Sequence, residues 1–272
     1  MSRLAKRFEK LKNKGRAALI PYITAGDPHP EITVRLMHKI VQAGADAIEL
    51  GVPFSDPMAD GAVIQAAHER ALKHKVNLPR VIEMVQEFRQ SDTETPVVLM
   101  GYQNPIEVIG PQAFASLAAK AGVDGVLTVD LPPEEGSETL SAFEQAGLDP
   151  IFLISPTTRE ARIEKIARVS RGFIYYVSLK GVTGADTLDT DTIAEKLAAI
   201  RRHTNLPVGV GFGIRDAETA GKVAAVADAV VVGSAIIRLI EAKQNDQDAL
   251  LNAVGELIAQ MRAAVEAASD KY

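Results

Sequence analysis

The sequence predicts an α/β fold in which eight parallel strands, each followed by a helix, close into a barrel. Short apolar runs rich in Val and Ile recur along the chain. Because these runs do not alternate apolar with polar residues, they indicate strands covered on both faces, as in a parallel sheet. The 272 residues allow two small domains but also fit one barrel of about 250 residues, and no shift in composition divides them. We therefore expect a single (β/α)8, or TIM, barrel domain spanning residues 1–272.

The predicted strands occupy residues 18–24, 47–52, 97–102, 125–130, 151–155, 173–178, 208–213 and 229–234. A repeated unit of helix, tight turn and strand supports the alternation: residues 43–48 resemble residues 121–126 and, more weakly, 226–230. The Gly of the first two copies suits the left-handed position after a helix, and the Asp starts the turn into the next strand. An open doubly wound sheet is the alternative, but its Gly-rich fingerprint is missing after the first strand.

Helices are also expected near both ends of the chain. Leu4, Phe8 and Leu11 have helical spacing, and Gly15 can end an extra amino-terminal helix. An apolar period of 3.6 residues over 250–265 predicts the last helix. A short helix is predicted over residues 235–242, directly after the eighth strand, where barrels commonly bind phosphate.

The composition argues against several classes of function. The chain contains no Cys, which excludes disulfides and thiolate metal sites and fits a cytoplasmic location. A net charge of −5 without a Lys/Arg run argues against nucleic acid and anionic membranes as partners. No apolar run approaches the roughly 20 residues of a membrane span, and the charged amino terminus lacks the features of a signal peptide.

The histidines give no sign of a metal site. None of the five has the spacing of clustered ligands, so we expect no metal ion. Those that lie on predicted helices are expected at the surface; they are His38, His68, His74 and His203.

Glu49 is the strongest candidate for chemistry. It lies among apolar residues in the second predicted strand, and barrel enzymes place their sites at the carboxyl ends of the strands. Ionising a carboxyl group in a packed interior is costly unless the group is paired, so burial raises its pKa toward neutrality and suits general acid–base catalysis. The alternative is a structural Glu whose charge is satisfied by a hydroxyl group or a cation.

Asp60 lies eleven positions later, on a loop rich in Pro and Asp. We expect it to stay ionised near solvent until the loop closes, and two carboxylates in different settings are typical of divided acid–base roles. The alternative is helix capping, because Asp60 precedes a helix that is predicted to begin near Gly61. For Asp56, which precedes Pro57, a structural role in a turn is the stronger interpretation.

Three Gly-rich segments follow the last three strands, at residues 181–184, 209–213 and 233–237. Glycine lets backbone N–H groups approach an anion, and the amino terminus of the following short helix adds partial positive charge. The three segments together predict a phosphate site that uses amides rather than net charge. The alternative is that these glycines only form tight turns.

Seven segments together resemble one known family. The most specific is ELGVPFSDPMADG at residues 49–61. The others are PYITAGDP at 21–28, GYQNP at 101–105, VDLP at 129–132, YYVS at 175–178, GVTGA at 181–185 and GFGI at 211–214. They resemble the α subunit of tryptophan synthase, and the resemblance runs from the first predicted helix to the last.

This resemblance implies a lyase that cleaves indole-3-glycerol phosphate to indole and glyceraldehyde 3-phosphate by a retro-aldol reaction, without a cofactor or a metal. Glu49 would be the general acid–base, Asp60 would hydrogen-bond the indole N–H, and Tyr175 would line the reacting centre. The implied apolar slot for the indole ring consists of Tyr22, Ile64, Met100, Leu127 and Phe212. Thr183 would reach Asp60 when a lid closes. The implied phosphate ligands are Gly184, Gly213, Gly233 and Ser234.

The resemblance also implies a partner, a tryptophan synthase β subunit in an αββα heterotetramer, to which indole would pass directly. The matching contact segments are residues 53–60, residues 104–105 and Pro132. Three residues depart from common family choices: Ala62, Tyr22 and Gln103. Of these, Tyr22 adds to the indole slot a hydroxyl group that needs a partner, and Gln103 lies near the implied contact.

Other functions stay open at this point. Another phosphate-binding barrel, such as a sugar-phosphate isomerase or a prenyl transferase, would use the same fold for different chemistry. A free-standing lyase would release indole to solution. A non-catalytic module would only activate a β subunit, and it would form no indole when substrate is added to the chain alone.

Overall fold

The computed structural model describes residues 2–178, 189–211 and 213–269. Its strands are β1 Ala18–Thr24, β2 Ile48–Gly51, β3 Val97–Gly101, β4 Gly125–Thr128, β5 Asp149–Ile154, β6 Ile174–Val177, β7 Val208–Gly211 and β8 Ala229–Val232. Each strand pairs in parallel with the next, and β8 pairs with β1, so the sheet is a closed barrel. The predicted (β/α)8 fold is confirmed, and every predicted strand overlaps an observed one.

Helices surround the barrel. The described helices are α1 Arg3–Lys12, α2 Thr33–Gln42, α3 Ala62–Lys73, α4 Leu78–Phe88, α5 Gln103–Ile109, α6 Pro111–Ala121, α7 Ser137–Ala146, α8 Glu160–Val169, α9 Thr190–Arg201, α10 Ala217–Ala224, α11 Ser234–Ala242 and α12 Gln247–Ser269. The predicted first, short and last helices are therefore confirmed as α1, α11 and α12. A 3₁₀ turn, Pro30–Ile32, precedes α2.

The core has two layers, one inside the barrel and one between the barrel and the helices. The inner layer takes alternate residues of the strands, which include Ala18, Ile20, Val98, Leu127, Ile151, Phe173 and Val231. The outer layer takes the residues between them, which include Leu19, Leu50, Leu99, Val210 and Val230. Because both faces of each strand are buried, the strands are apolar throughout, which explains the absence of alternation in the sequence.

Helix α1 closes the amino-terminal end of the barrel. Leu4, Phe8 and Leu11 are at most 6% exposed and join the inner layer. The rings of Phe8 and Phe173 lie 5.7 Å apart, centroid to centroid. Ser2 caps the helix, since its hydroxyl group accepts a hydrogen bond from the Ala5 N–H. A ligand that enters the barrel must therefore come from the carboxyl ends of the strands.

The repeated unit found in the sequence has a common structural purpose. In each copy the Asp carboxylate accepts the backbone N–H of a residue in the preceding strand: Asp46 from Leu19 (2.9 Å), Asp124 from Val97 (2.8 Å) and Asp228 from Val208 (2.9 Å). The backbone N–H of the same Asp donates to the carbonyl of that residue. Each carboxylate also pairs with an arginine, namely Arg262, Arg89 and Arg201. The repeated Asp thus ties the starts of neighbouring strands together.

Replacing Asp124 should destabilise the fold much more than replacing Asp228. Asp124→Ala removes the nearer of the two carboxylates that pair with Arg89, whose side chain is 9% exposed, and we expect a loss of about 3–5 kcal/mol in the free energy of unfolding. Asp228 and Arg201 are both 43% exposed, so Asp228→Ala should cost about 1 kcal/mol. Equilibrium urea unfolding of the two variants measures both values. Equal losses would show that burial of the ion pair does not determine how much it contributes to the free energy of unfolding.

Candidate active site

The strand pattern places Tyr22 and Glu49 side by side at the open end of the barrel. Tyr22 follows the inward-facing Ile20 by two residues, and Glu49 follows the inward-facing Ala47 by two. Because side chains alternate along a strand, both point into the barrel, nearer to its carboxyl end. Tyr22 and Glu49 are register partners in the pairing of β1 with β2, so the two side chains are neighbours.

Glu49 lies in a dry environment. The residue is 1% exposed, and its Oε1 atom has no hydrogen-bond partner among the described residues. Burial, and secondarily the negative charge of Asp60, raise the pKa of Glu49 from 4.5 to about 8. The structural alternative, a carboxylate satisfied by a hydroxyl group or a cation, is not supported for Oε1 by any residue that the structure describes. At neutral pH, Glu49 is therefore an uncharged acid that can donate a proton.

Asp60 lies on the loop between β2 and α3, and its carboxylate has a specific partner. The Tyr102 hydroxyl group donates to its Oδ2 atom (2.7 Å) and accepts from the Ala59 N–H (3.1 Å). The capping alternative is wrong, because Gly61 is the residue that caps α3 and no side chain caps it. Burial raises the pKa of Asp60, whereas the Tyr102 hydrogen bond opposes this rise.

The Tyr22 hydroxyl group has the partners that its polarity requires. It lies 3.2 Å from the Thr24 hydroxyl oxygen and 3.4 Å from Nε2 of His68. Gly51 makes room for it, because a Cβ atom at that position would lie 2.2 Å from the hydroxyl oxygen. Burial, and secondarily Asp60, raise the pKa of Tyr22 well above 10.0, so Tyr22 stays neutral.

The Tyr175 hydroxyl group also occupies space that a glycine leaves free. A Cβ atom at Gly211 would lie 2.1 Å from its hydroxyl oxygen. Burial, and secondarily the charge of Glu49, raise the pKa of Tyr175 well above 10.0. Glu49 and Asp60 also contribute to the raised pKa values of both Tyr175 and Tyr22, so the two acids act on both tyrosines at this end of the barrel.

Apolar residues line the same end of the barrel. Leu127 is fully buried in the inner layer, and Met100 packs against both layers of the core. Register pairing places Met100 of β3 beside Gly51 and Leu127. Ile64, partly buried in the first turn of α3, packs against the outer layer. The remaining members of the implied slot and lid, Phe212 and Thr183, lie outside the described residues.

The last two strands, which pair with each other, are each followed by a glycine that sequence analysis assigned to the phosphate site. Gly233 is the cap residue of α11 and provides no capping side chain, and Ser234 is the first residue of that helix. Gly213 has a φ of 79°, a left-handed conformation that favours glycine. A Cβ atom at Gly233 would lie 3.6 Å from Cδ1 of Tyr22, so this helix terminus adjoins the acid-containing end of the barrel. The predicted ligand Gly184 lies outside the described residues.

A second concave region lies at the opposite end of the barrel. It is a groove of about 840 Å3 beside α1, whose lining includes Phe8, Arg171, Leu206 and Asp228. We assign the candidate site to the carboxyl end instead, since the buried acid with a raised pKa and the helix terminus meet there.

Comparison with known proteins identifies the family. The model of the family described as "Tryptophan synthase alpha chain" matches residues 8–266. The chain belongs to the tryptophan synthase alpha chain family. It is 63% identical over 266 residues to the tryptophan synthase alpha chain of Thioalkalivibrio sulfidiphilus. The alignment covers 98% of this chain and 100% of that relative. It is 60% identical to the protein of the same name from Marinobacter nauticus, with 98% of both chains covered.

Solved structures agree with this assignment. Tryptophan synthase subunit alpha from Legionella pneumophila superposes with a TM-score of 0.92 at 47% identity, covering 98% of this chain and 99% of that one. A chain of tryptophan synthase from Mycobacterium tuberculosis gives a TM-score of 0.87 at 34% identity, with 97% and 98% covered. Among the described residues, no helix has the length and apolar character needed to span a membrane.

For this member of the tryptophan synthase alpha chain family, sequence analysis missed two residues of the site. His68 was expected at the surface, and that prediction is wrong: it is 2% exposed and contacts Tyr22. Tyr102, the partner of Asp60, was quoted within a motif but received no role. Its position directly after β3, at the carboxyl end of a strand, was the signal that could have found it.

Removing the charge of Glu49 should stabilise the protein increasingly as the pH rises. Since its folded-state pKa exceeds the unfolded value, the stability that neutral Glu49 contributes is complete below pH 4.5 and is lost as the pH rises to about 8. Glu49→Gln cannot ionise, so it does not lose this stability. The difference in free energy of unfolding between Glu49→Gln and the wild type should therefore increase by about 1.4 kcal/mol per pH unit within this window.

Urea unfolding of both proteins at several pH values measures this difference. Glu87→Gln is the matched control, because Glu87 is exposed on α4. Its difference from the wild type should stay constant within about 0.5 kcal/mol. If the Glu49→Gln difference were equally constant, Glu49 would not titrate with a raised pKa.

Proposed function

We propose that this chain performs the α reaction of its family, the retro-aldol cleavage of indole-3-glycerol phosphate to indole and glyceraldehyde 3-phosphate, and supplies indole to a β subunit. The observation that carries the proposal is the buried carboxyl group of Glu49 at the open end of the barrel, whose Oε1 atom has no hydrogen-bond partner in the described part of the chain. An apolar slot and a helix amino terminus adjoin it, which fits a substrate with an aromatic ring and a phosphate.

Glu49 moves the protons of this reaction. Its neutral carboxyl group donates a proton to indole C3, which places the positive charge on the ring nitrogen. The resulting carboxylate accepts the proton of the glycerol hydroxyl group beside the scissile bond. That oxygen becomes the aldehyde carbonyl, and the electron pair of the broken carbon–carbon bond moves into the ring and neutralises the nitrogen. Glu49 ends protonated, so no proton is consumed and a pKa of about 8 suits both steps.

Asp60 stabilises the charge that forms in between. Its carboxylate accepts the indole N–H, and this contact strengthens as C3 is protonated and the nitrogen becomes cationic. A preorganised charge in a site that excludes water contributes about 3 kcal/mol to such a transition state. The Tyr102 hydroxyl group, 2.7 Å from Oδ2, holds the carboxylate in place.

The remaining residues bind and enclose the substrate. The indole ring packs among Tyr22, Ile64, Met100, Leu127 and Phe212, with Tyr175 beside the reacting carbon. Backbone amides at Gly184, Gly213, Gly233 and Ser234 hold the phosphate at the amino terminus of α11. By the family resemblance, Thr183, which lies outside the described residues, would reach Asp60 and help to exclude water. No metal ion or cofactor takes part in this scheme.

Replacing Glu49 should abolish most of the activity without affecting substrate binding. Glu49→Gln keeps the shape of the side chain but cannot exchange a proton, so we expect kcat for indole formation to fall about 1,000-fold. Inorganic phosphate should bind the variant as it binds the wild type. An indole assay of the chain alone measures kcat, with Glu87→Gln as the control of unchanged activity.

The same assay separates the alternative functions. A wild-type chain that forms no indole alone or with a β subunit would be a non-catalytic module, and the proposal would fail. Normal turnover by Glu49→Gln would show that another residue moves the protons.

We further propose that the β subunit binds beside the open end of the barrel, within an αββα heterotetramer. Met58, in the loop that carries Asp60, is 80% exposed, and Val108, in α5, is 81% exposed. Methionine is enriched in protein–protein interfaces relative to the rest of the surface. Met58 belongs to a segment that matches a contact region of the family, residues 53–60, and Val108 lies three residues after another, residues 104–105. The M. tuberculosis structure of similar fold is a structure of tryptophan synthase.

Replacing Val108 should weaken the complex but not the chemistry. A carboxylate at Val108 would be buried against the partner, so Val108→Asp should weaken binding of a tryptophan synthase β subunit at least about 10-fold, while indole formation by the chain alone stays unchanged. Leu117→Asp is the matched control, because Leu117 is 49% exposed on α6, outside the contact segments. Titration calorimetry measures both affinities. Equal weakening by the two variants would place the contact elsewhere.

A further inference from the structure

His68 occupies an unusual position for a titratable side chain. It lies on α3, whose first turn follows the Asp60 loop, defined here as residues 53–60, and it is 2% exposed. The backbone N–H of Phe54, at the start of this loop, donates to its Nδ1 atom (3.0 Å). An N–H group can only donate to an unprotonated nitrogen, so the imidazole is neutral and carries its proton on Nε2.

The directions of the remaining hydrogen bonds follow from this tautomer. Nε2–H donates to the Tyr22 hydroxyl oxygen, at 3.4 Å, and the Tyr22 O–H donates to the Thr24 hydroxyl oxygen, at 3.2 Å. The chain of bonds is consistent only while His68 is neutral. A second proton on the imidazole would remove the acceptor of the Phe54 N–H.

Contacts connect this anchor to Asp60. The Phe54 ring stacks on Tyr102, with centroids 5.1 Å apart and planes 28° apart. Tyr102 in turn donates to the Asp60 carboxylate and accepts from the Ala59 N–H. His68 therefore holds a residue that packs against the side chain that orients Asp60.

The same helix face holds the other end of the loop. The Gln65 amide donates to the Asp60 carbonyl oxygen (2.8 Å), and Gln65 precedes His68 by three residues, which places both side chains on one face of α3. The loop is thus attached to α3 at its beginning by His68 and at its end by Gln65.

We propose that His68 is a positioning residue for the proposed lyase reaction: its neutral imidazole fixes the start of the Asp60 loop and the Tyr22 hydroxyl group, so that Asp60 meets the indole N–H. The proposal rests on the proposed function only for its catalytic consequence. The anchoring itself concerns the Phe54 N–H and can be measured without substrate.

The electrostatic surroundings favour the neutral form. Burial lowers the pKa of His68 from 6.5, while the negative charge of Asp60 opposes this change. The other titratable groups around the cluster are Tyr22, from β1, and Tyr102, after β3, both with a raised pKa. Arg70, on the next turn of α3, pairs with Asp27 and Glu241 instead. His68 therefore stays neutral at the pH at which Glu49 works.

Two variants of His68 test the proposal. His68→Leu retains apolar volume but leaves the Phe54 N–H without an acceptor; His68→Asn provides an amide oxygen as acceptor and cannot ionise. We expect His68→Leu to lower kcat about 10-fold with KM changed less than about twofold, because the loss falls on a contact that strengthens in the transition state. His68→Asn should restore kcat to within about threefold of the wild type. Glu69→Gln, at the exposed neighbouring position, is the control of unchanged kinetics.

Hydrogen exchange of the Phe54 amide provides the readout that does not require activity. The amide should be protected in the wild type and in His68→Asn and should exchange at least about 10-fold faster in His68→Leu, with all three proteins folded by circular dichroism. Equal protection in all three would overturn the anchoring role, whatever the activity of the wild type. If the wild type forms indole, an unchanged kcat in His68→Leu, or a loss confined to KM, would overturn the positioning role. If the wild type forms no indole, the proposed function fails, and the exchange result alone decides whether His68 anchors the loop.

Discussion

The site depends on keeping one carboxyl group uncharged inside a protein barrel. Glu49 can be accommodated because β1 and β3 hold its strand on both sides and leave its backbone no freedom to turn the side chain to solvent. The described residues provide no partner for its Oε1 atom, so ionisation is unfavourable and the proton is retained at neutral pH. The same dryness that makes this arrangement costly for stability makes the acid useful for proton transfer.

Asp60 shows how a second carboxylate in the same volume acquires a different role. Burial acts on both acids, but Asp60 accepts a hydrogen bond from Tyr102, which favours its charged form. For Glu49, burial and the charge of Asp60 both raise the pKa. In the proposed reaction, the two environments therefore separate a proton donor from a stabiliser of positive charge, although both groups are carboxylates at one end of one barrel.

The barrel repeats one type of contact at its closed end and another at its open end. Asp46, Asp124 and Asp228 each bind the backbone N–H of a residue in the preceding strand, and this ties neighbouring strands together at the closed end. At the open end, Gly51 and Gly211 each leave the space of a side chain, and a tyrosine hydroxyl group fills it. The closed end is thus built for stability, and the open end has buried polar groups directed toward one volume.

The sequence by itself determined the eight strands, the extra helices, Glu49 and Asp60 as the two acids, and the family, because buried parallel strands and the residue 49–61 segment leave strong local patterns. It could not reveal that Tyr102 holds Asp60 or that His68 is buried. The residues involved are far apart in the chain, and the local sequence of α3 gives no sign of which partner a polar side chain meets. Only the tertiary structure decided these contacts, because burial and hydrogen-bond direction depend on how α3, the Asp60 loop and the strand ends pack together.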